Sequence, residues 1–164
     1  MAVIATIGIS LASLSRFRIA SVARIQQIRI EVRDLRARAA LAAATGGSAD
    51  RESRVKSAKR DAKKILREKT YWGDPFAHLI FGGAGAAEGD LETALHYTRK
   101  AIEGFEAAGI RGHAAAARRR YGQLLGGDVG RRAIEESELW MATEGVVNPA
   151  RVTAMLAPGF EGLD

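Results

Sequence analysis

Cysteine is absent from the 164 residues, which removes disulfides, thiolate metal sites and a cysteine nucleophile at once. That absence fits a reducing compartment, and a cytoplasmic location is the expectation. Proline occurs only three times, and β-branched runs are scarce outside the N-terminus. With 47 % apolar residues and heavy use of alanine, this balance suits packed helices better than sheets, so the chain reads as all-α. There is also no apolar stretch of the roughly 20 residues that a transmembrane helix needs. The longest, Ala2–Leu14, is followed by Arg16 and Arg18, whereas a secretory signal carries its positive charge first. Residues 1–24 are therefore read as an apolar N-terminal helix or tail, covering one end of a helical domain that spans residues 25–164.

The net charge of +6 is unevenly divided. Residues 1–72 carry 16 basic and 6 acidic side chains, and residues 73–164 carry 9 and 13. A basic first half can attract phosphate backbones or anionic lipid over long range, without fixing specificity.

Hydrophobic period then divides the chain. Ile25, Ile28, Val32, Leu35, Ala39 and Ala42 step by three or four and predict one buried stripe, with Arg29, Arg33, Arg36 and Arg38 mostly off it. Past Gly46-Gly47 a second helix is predicted with Val55, Ala58, Ala62, Ile65 and Leu66 inward. Asp74 before Pro75 reads as an N-cap followed by a proline at the first helical position. The helix it opens breaks at Gly89-Asp90, and a fourth buries Leu91, Ala94, Leu95, Thr98, Ala101, Ile102 and Phe105. A fifth places Ala114, Ala117, Tyr121, Leu124 and Leu125 inward, and a sixth Ala133, Ile134, Ser137, Trp140 and Met141. Asn148-Pro149 repeats the cap-and-proline start for a short segment whose Val152, Met155 and Leu156 are expected over the last pair. The breaks at Gly46-Gly47, Gly89-Asp90 and Gly126-Gly127-Asp128 recur about every 40 residues, the signature of stacked repeats: three helical hairpins and a C-terminal capping helix.

The segment PFAHLIFGGAGAAEGDLETALHYTRKAIEGF, Pro75–Phe105, resembles one tetratricopeptide (TPR) repeat. With Gly89-Asp90 as the turn, Phe81 and Gly82 fall on its large-then-glycine positions, and Ala94 and Ala101 on its small crossing positions. It departs from the pattern at His78, Gly85 and Glu106. Farther on, AAARRRYGQLLGGDVGRR and SELWMATEGVVNPARVTAMLAPGF, with the earlier LRARAALAAA and ILREKTYW, are similar to the C-terminal helical-repeat region of large bacterial serine/threonine protein kinases and kindred multidomain signalling proteins. The resemblance implies a TPR-like α-solenoid that acts as a non-catalytic scaffold or docking module. Kinase chemistry does not come with it, because no H-R-D or D-F-G string is present.

The quoted glycines also stop short of a dinucleotide loop. Gly83-x-Gly85 is followed by Glu88 where a third glycine belongs, and the stretch follows a helix instead of a strand. Close helix packing is the expected reason for them. His78, His96 and His113 are isolated, and Glu135, Glu136 and Glu138 lack a partner nucleophile, so neither a metal nor a catalytic site is expected, and no cofactor. Arg118, Arg119 and Arg120 fan over about 200° of a helix and read as solvated. Trp72 and Trp140 read as packing anchors.

Three partner classes remain. A groove lined by the first helices of successive hairpins would bind a protein segment, with Arg36, His78, Arg118 and Gln123 as candidate contacts. The basic second helix, with Lys56, Lys59, Arg60, Lys63, Lys64 and Arg67, is the alternative: a site for nucleic acid or an anionic membrane surface. The N-terminal helix, lacking a polar cap, could pair with another copy of the chain.

Overall fold

The computed structural model describes residues 11–45 and 50–160, with side chains described from residue 25 onward. Most of the run Ala2–Leu14 lies outside those residues. Among the described residues the chain is all-helical, with seven helices and no strand. They are α1 (Leu11–Thr45), α2 (Arg51–Leu66), α3 (Asp74–Glu88), α4 (Leu91–Ala107), α5 (Arg111–Leu125), α6 (Gly127–Thr143) and α7 (Pro149–Leu156). Each helix from α1 to α6 packs on the next, and α7 returns to lie on α5 and α6. No described helix is long and apolar enough to cross a membrane.

The caps follow sequence chemistry at most ends. Gly89 closes α3 at φ +79°, a left-handed conformation natural to glycine, and Asp90 N–H donates back to the Gly85 carbonyl at 2.9 Å. The Asp90 side chain then caps α4, accepting from Thr93 N–H at 3.0 Å and from the Thr93 hydroxyl at 2.6 Å. Asn148 caps α7 in the same way, accepting from Arg151 N–H at 2.9 Å, with Pro149 opening the helix. At α3 the expectation is off by one residue: Gly73 is the N-cap and Asp74 already lies within the helix.

Two apolar cores meet at α3. Ile30, Ala37 and Leu41 of α1 pack with Val55, Ala58, Ala62 and Ile65 of α2 and with Ala77, Ile80, Ala84 and Ala87 of α3. Leu79 of α3 belongs to the second core, with Ala101 and Phe105 of α4, Ala114–Ala117 of α5, Met141 of α6 and the C-terminal Phe160. The glycines of α3 permit close helix approach. A Cβ on Gly82 would lie 2.5 Å from the Thr98 hydroxyl oxygen and 3.2 Å from its backbone nitrogen, and one on Gly85 would lie 2.9 Å from Ala94 N.

The predicted stripe of α1 is on the wrong side. Ile25, Ile28, Val32 and Leu35 are 50–61 % exposed, and Ala39 and Ala42 are exposed with them. The buried face is Ile30, Asp34, Ala37, Leu41 and Ala44, about 180° around the helix at 100° per residue. α1 thus carries two apolar stripes of the same period, and the fold buries the one with smaller side chains. The helix also begins at least as early as Leu11 and runs past residue 25 without a break. Four further expectations need correction. Arg120 is fully buried, Leu91 and Leu125 face out, and in α7 Thr153 points inward while Met155 is exposed.

Candidate functional site

A groove of about 450 Å³ runs along the face shared by the odd-numbered helices. One wall is α1, through Gln27, Ile30, Glu31, Asp34, Leu35 and Arg38, and the other comes from Trp72, Phe76 of α3, Ile110 and His113 of α5. The i, i+4 spacing on α1 joins Asp34 to Arg38 at 2.8 Å. Burial pushes the Asp34 carboxyl up to about 6, against the opposing pull of Arg38. His113 is held between rings: its centroid is 4.9 Å from that of Phe76 and 5.2 Å from that of Phe105. Burial, reinforced by the Arg38 charge, lowers its pKa to about 4, so the imidazole is neutral at physiological pH. Its Nε2 is buried with no hydrogen-bond partner. The surface is therefore aromatic and aliphatic, edged by Glu31 and by the Asp34–Arg38 pair.

The C-terminal segment is seated on the continuation of this face. Ala157, Pro158, Gly159 and Phe160 are all buried. Arg38 donates from Nη1 to the Met155 carbonyl at 3.0 Å, tying α1 to the end of α7. From α5, Arg120 donates from Nε to the Ala157 carbonyl at 3.0 Å, and its guanidinium lies 5.6 Å from the Phe160 ring centroid. On α3, a Cβ at Gly83 would meet the Pro158 carbonyl oxygen at 2.5 Å and the Phe160 ring at 3.3 Å. Gly159 takes φ +99°, which only glycine adopts easily, and brings the segment backbone against Gly83. α3 and α5 thus hold one short non-helical strip of chain, and α1 holds the end of the helix that leads into it.

No family model, curated protein or solved structure matches this chain.

None of the four residues expected to line a protein-binding groove borders this one, although they lie on α1, α3 and α5. Arg36 points along α1 toward α2, its Nε 3.7 Å from Asp61 Oδ2, with its side chain 65 % exposed. His78 faces α4, its ring centroid 6.0 Å from that of Tyr97. Arg118 is ion-paired with Glu106 of α4. Gln123 comes nearest, accepting at 2.9 Å from Nη1 of the Arg120 that grips the C-terminal segment. The groove residues that sequence reasoning missed are Asp34, Arg38, Phe76, Ile110 and His113. One signal was available, since Asp34 interrupts the stripe Ile30-Ala37-Leu41 with a carboxylate four residues before an arginine.

The basic helix α2 shows a second surface. Lys56, Arg60, Lys63 and Arg67, spaced i, i+4, i+7, i+11, form one exposed row, with Lys64 beside it. None of these five forms an ion pair among the described residues. Lys59 stands apart, only partly exposed and 2.5 Å from Glu88. Among the described residues no group of three or more histidine or acidic side chains could hold a metal ion. Glu92 and His96 border a broad, open hollow between α4 and α5 along with Tyr97 and Tyr121.

Proposed function

We propose that this protein is a non-catalytic, TPR-like helical-repeat adaptor that captures a segment of a partner protein along the face shared by α1, α3 and α5. One observation carries the reading: the chain's own residues 157–160 already lie on that face as a short non-helical strip, next to a groove of about 450 Å³ that is still open. A surface that holds residues 157–160 through a carbonyl-directed arginine and a buried aromatic ring has what capture of a foreign segment needs, namely backbone recognition and an apolar anchor. The open part favours a segment with apolar side chains and a basic group near Glu31. The resemblance to kinase-associated repeat regions is the support for proposing a role in cytoplasmic bacterial signalling.

Selection of peptides against the full chain from a random display library tests this. A selected peptide is expected to photocrosslink to a probe replacing Gln27, at the groove edge, and not to one replacing Lys63 on α2. Crosslinking at Lys63 alone, or selection of no competing peptide, would count against groove capture.

The exposed basic row on α2 supports a second reading, a polyanion-binding surface for nucleic acid or anionic membrane. Such binding weakens with salt, each phosphate contact contributing a slope of about 0.7–0.9 in log K against log salt. Arg60→Glu, Lys63→Glu and Lys64→Glu together should abolish it. Affinity for DNA or anionic vesicles that survives both salt and these substitutions would remove α2 from consideration.

A further inference from the structure

Two carboxylates of α1, Glu31 and Asp34, stand three residues apart on one wall of the groove, with Trp72 and Phe76 on the other. That spacing puts them on one face of the helix, with about 5–6 Å between their Cβ atoms. Each has one oxygen engaged within α1. Gln27 donates from Nε2 to Glu31 Oε1 at 2.7 Å, and Arg38 donates from Nε to Asp34 Oδ2 at 2.8 Å. Glu31 Oε2 and Asp34 Oδ1 accept no hydrogen bond among the described residues. Arg38 is also committed elsewhere, since its Nη1 donates to the Met155 carbonyl. Asp34 is 6 % exposed, and burial outweighs the pull of Arg38 enough to push its carboxyl up to about 6. The other groups around it supply no further positive charge. Glu31 is a second acid, His113 of α5 is neutral, and Arg111 of α5 does not line the groove. Phe76, Leu79 and Ile80 of α3 and Leu156–Pro158 at the end of α7 are uncharged. The groove is thus short of one cation beside its aromatic wall.

Resting on capture of a partner segment in this groove, we propose that the segment seats an arginine there, its guanidinium bridging Glu31 and Asp34 along the Trp72 and Phe76 wall and displacing the proton of Asp34. Arginine suits the seat better than lysine. Its guanidinium is planar, more weakly hydrated than an ammonium, carries its donors in a fixed fork and stacks on aromatic faces. A bound cation stabilises the ionised carboxylate, so the proton that burial retains on Asp34 leaves as the segment binds. Affinity therefore falls as pH drops below about 6. His113, lowered to about 4, stays neutral through the upper part of that range. Loss of one such proton on binding weakens affinity about tenfold between pH 7.5 and pH 5.

N-acetylarginine methylamide, titrated into the full chain and followed at the Trp72 indole N–H resonance, tests the seat without a selected peptide. A saturable shift is expected, with a dissociation constant about tenfold higher at pH 5 than at pH 7.5. The uncharged citrulline analogue should leave the resonance unmoved. Glu31→Gln should weaken binding and keep its pH dependence, whereas Asp34→Asn should remove the pH dependence, and an unchanged Trp140 indole resonance shows that both variants keep their fold. An unmoved Trp72 resonance, an equal response to the citrulline or the lysine analogue, a pH-independent dissociation constant, or a pH dependence that survives Asp34→Asn overturns the proposal. Peptides that still crosslink at Gln27 after such a result uphold groove capture without the arginine. An arginine response with no selectable peptide keeps the seat for a free guanidinium compound and ends capture of a protein segment.

Discussion

Asp34 and His113 face the same groove with pKa values displaced in opposite senses, and their effects on stability oppose each other. Folded Asp34 holds its proton up to about pH 6, while the unfolded chain releases it near 3.8. Between those values the folded state binds more protons, so this contribution to stability falls as pH rises. His113 titrates near 4 when folded and near 6.5 when unfolded. There the unfolded state binds more protons, and stability rises with pH. The two slopes largely cancel between pH 4.5 and 6, a window above the range where Glu68, lowered to about 2 by its hydrogen bonds from Arg29 and Arg33, begins to lose its charge in the folded state. Asp34→Asn removes one slope, and the free energy of unfolding should then drop on acidification by up to about 1.4 kcal/mol per pH unit. His113→Phe, which keeps the ring cluster, should give the opposite tilt. Urea titrations at several pH values read both, and parallel profiles in the two variants would exclude this coupling. Helical glycines of α5 and α3 give a second residue-scale contrast. Gly112 has open space where a Cβ would stand, so Gly112→Ala should stabilise by about 0.5 kcal/mol through helix propensity. Gly85→Ala gains the same propensity but drives a methyl to 2.9 Å from the Ala94 backbone nitrogen, and a net loss of about 1–3 kcal/mol is expected. Denaturation midpoints at constant m-value distinguish the signs.

At the scale of the element, α1 shows how a correct period can select the wrong face. Its two stripes share the same three-and-four spacing, and hydrophobicity alone ranks Ile25, Ile28, Val32 and Leu35 above a stripe made of Ile30, Ala37, Leu41 and Ala44 with a carboxylate in it. The smaller stripe goes inside because α2 and α3 approach closely there, where alanines leave room, and because Arg38 and the polar edge of the groove compensate Asp34. None of that can be read locally, since it depends on what lies across the interface. Helix α2 raised no such conflict: one apolar stripe faces a row of lysines and arginines, and both its core and its basic surface were legible. The assignment of faces has a direct test. Leu41→Ala, at 1 % exposure, should cost about 2–5 kcal/mol of unfolding free energy. Leu35→Ala, at 61 % exposure, should stay within about 0.5 kcal/mol when measured in the monomer by dilute chemical denaturation. Equal losses at the two positions would mean that both faces are buried, and a larger loss at Leu35 than at Leu41 that the faces are reversed.

In the whole molecule, the helix breaks were legible because glycine, asparagine, aspartate and proline act locally: Gly89 ends α3, and Asp90 and Asn148 cap α4 and α7 through their own side chains. The groove was not, because it joins Asp34 to His113 and Arg120 to Ala157, pairs distant in sequence that only the packing of α1, α3 and α5 brings together. Arg120 is the clearest case. It sits in a run of three arginines that reads as solvated, yet it is the largest of the fully buried side chains, because the C-terminal segment supplies its acceptor and its aromatic neighbour. That segment, with the end of α7 before it, acts as a staple across the molecule: Arg38 of α1 holds the Met155 carbonyl of α7, while residues 157–160 meet α3 at Gly83 and α5 through the Ala157 carbonyl. In a linear stack, stability is passed between neighbouring units, and a strap across several of them makes distant units unfold together. Phe160→Ala removes the buried ring that anchors the strap, and should cost about 3–5 kcal/mol of global stability. The loss should be uneven under hydrogen exchange: amides of α5 and α7 open first, while α2, which lies outside the second core, keeps its protection until α1 also opens. The same variant frees the lower half of the face, so peptides selected on the open groove should bind it over a longer stretch. Uniform deprotection of all seven helices, with no change in peptide footprint, would show that Phe160 merely fills the core and that the strap has no separate role.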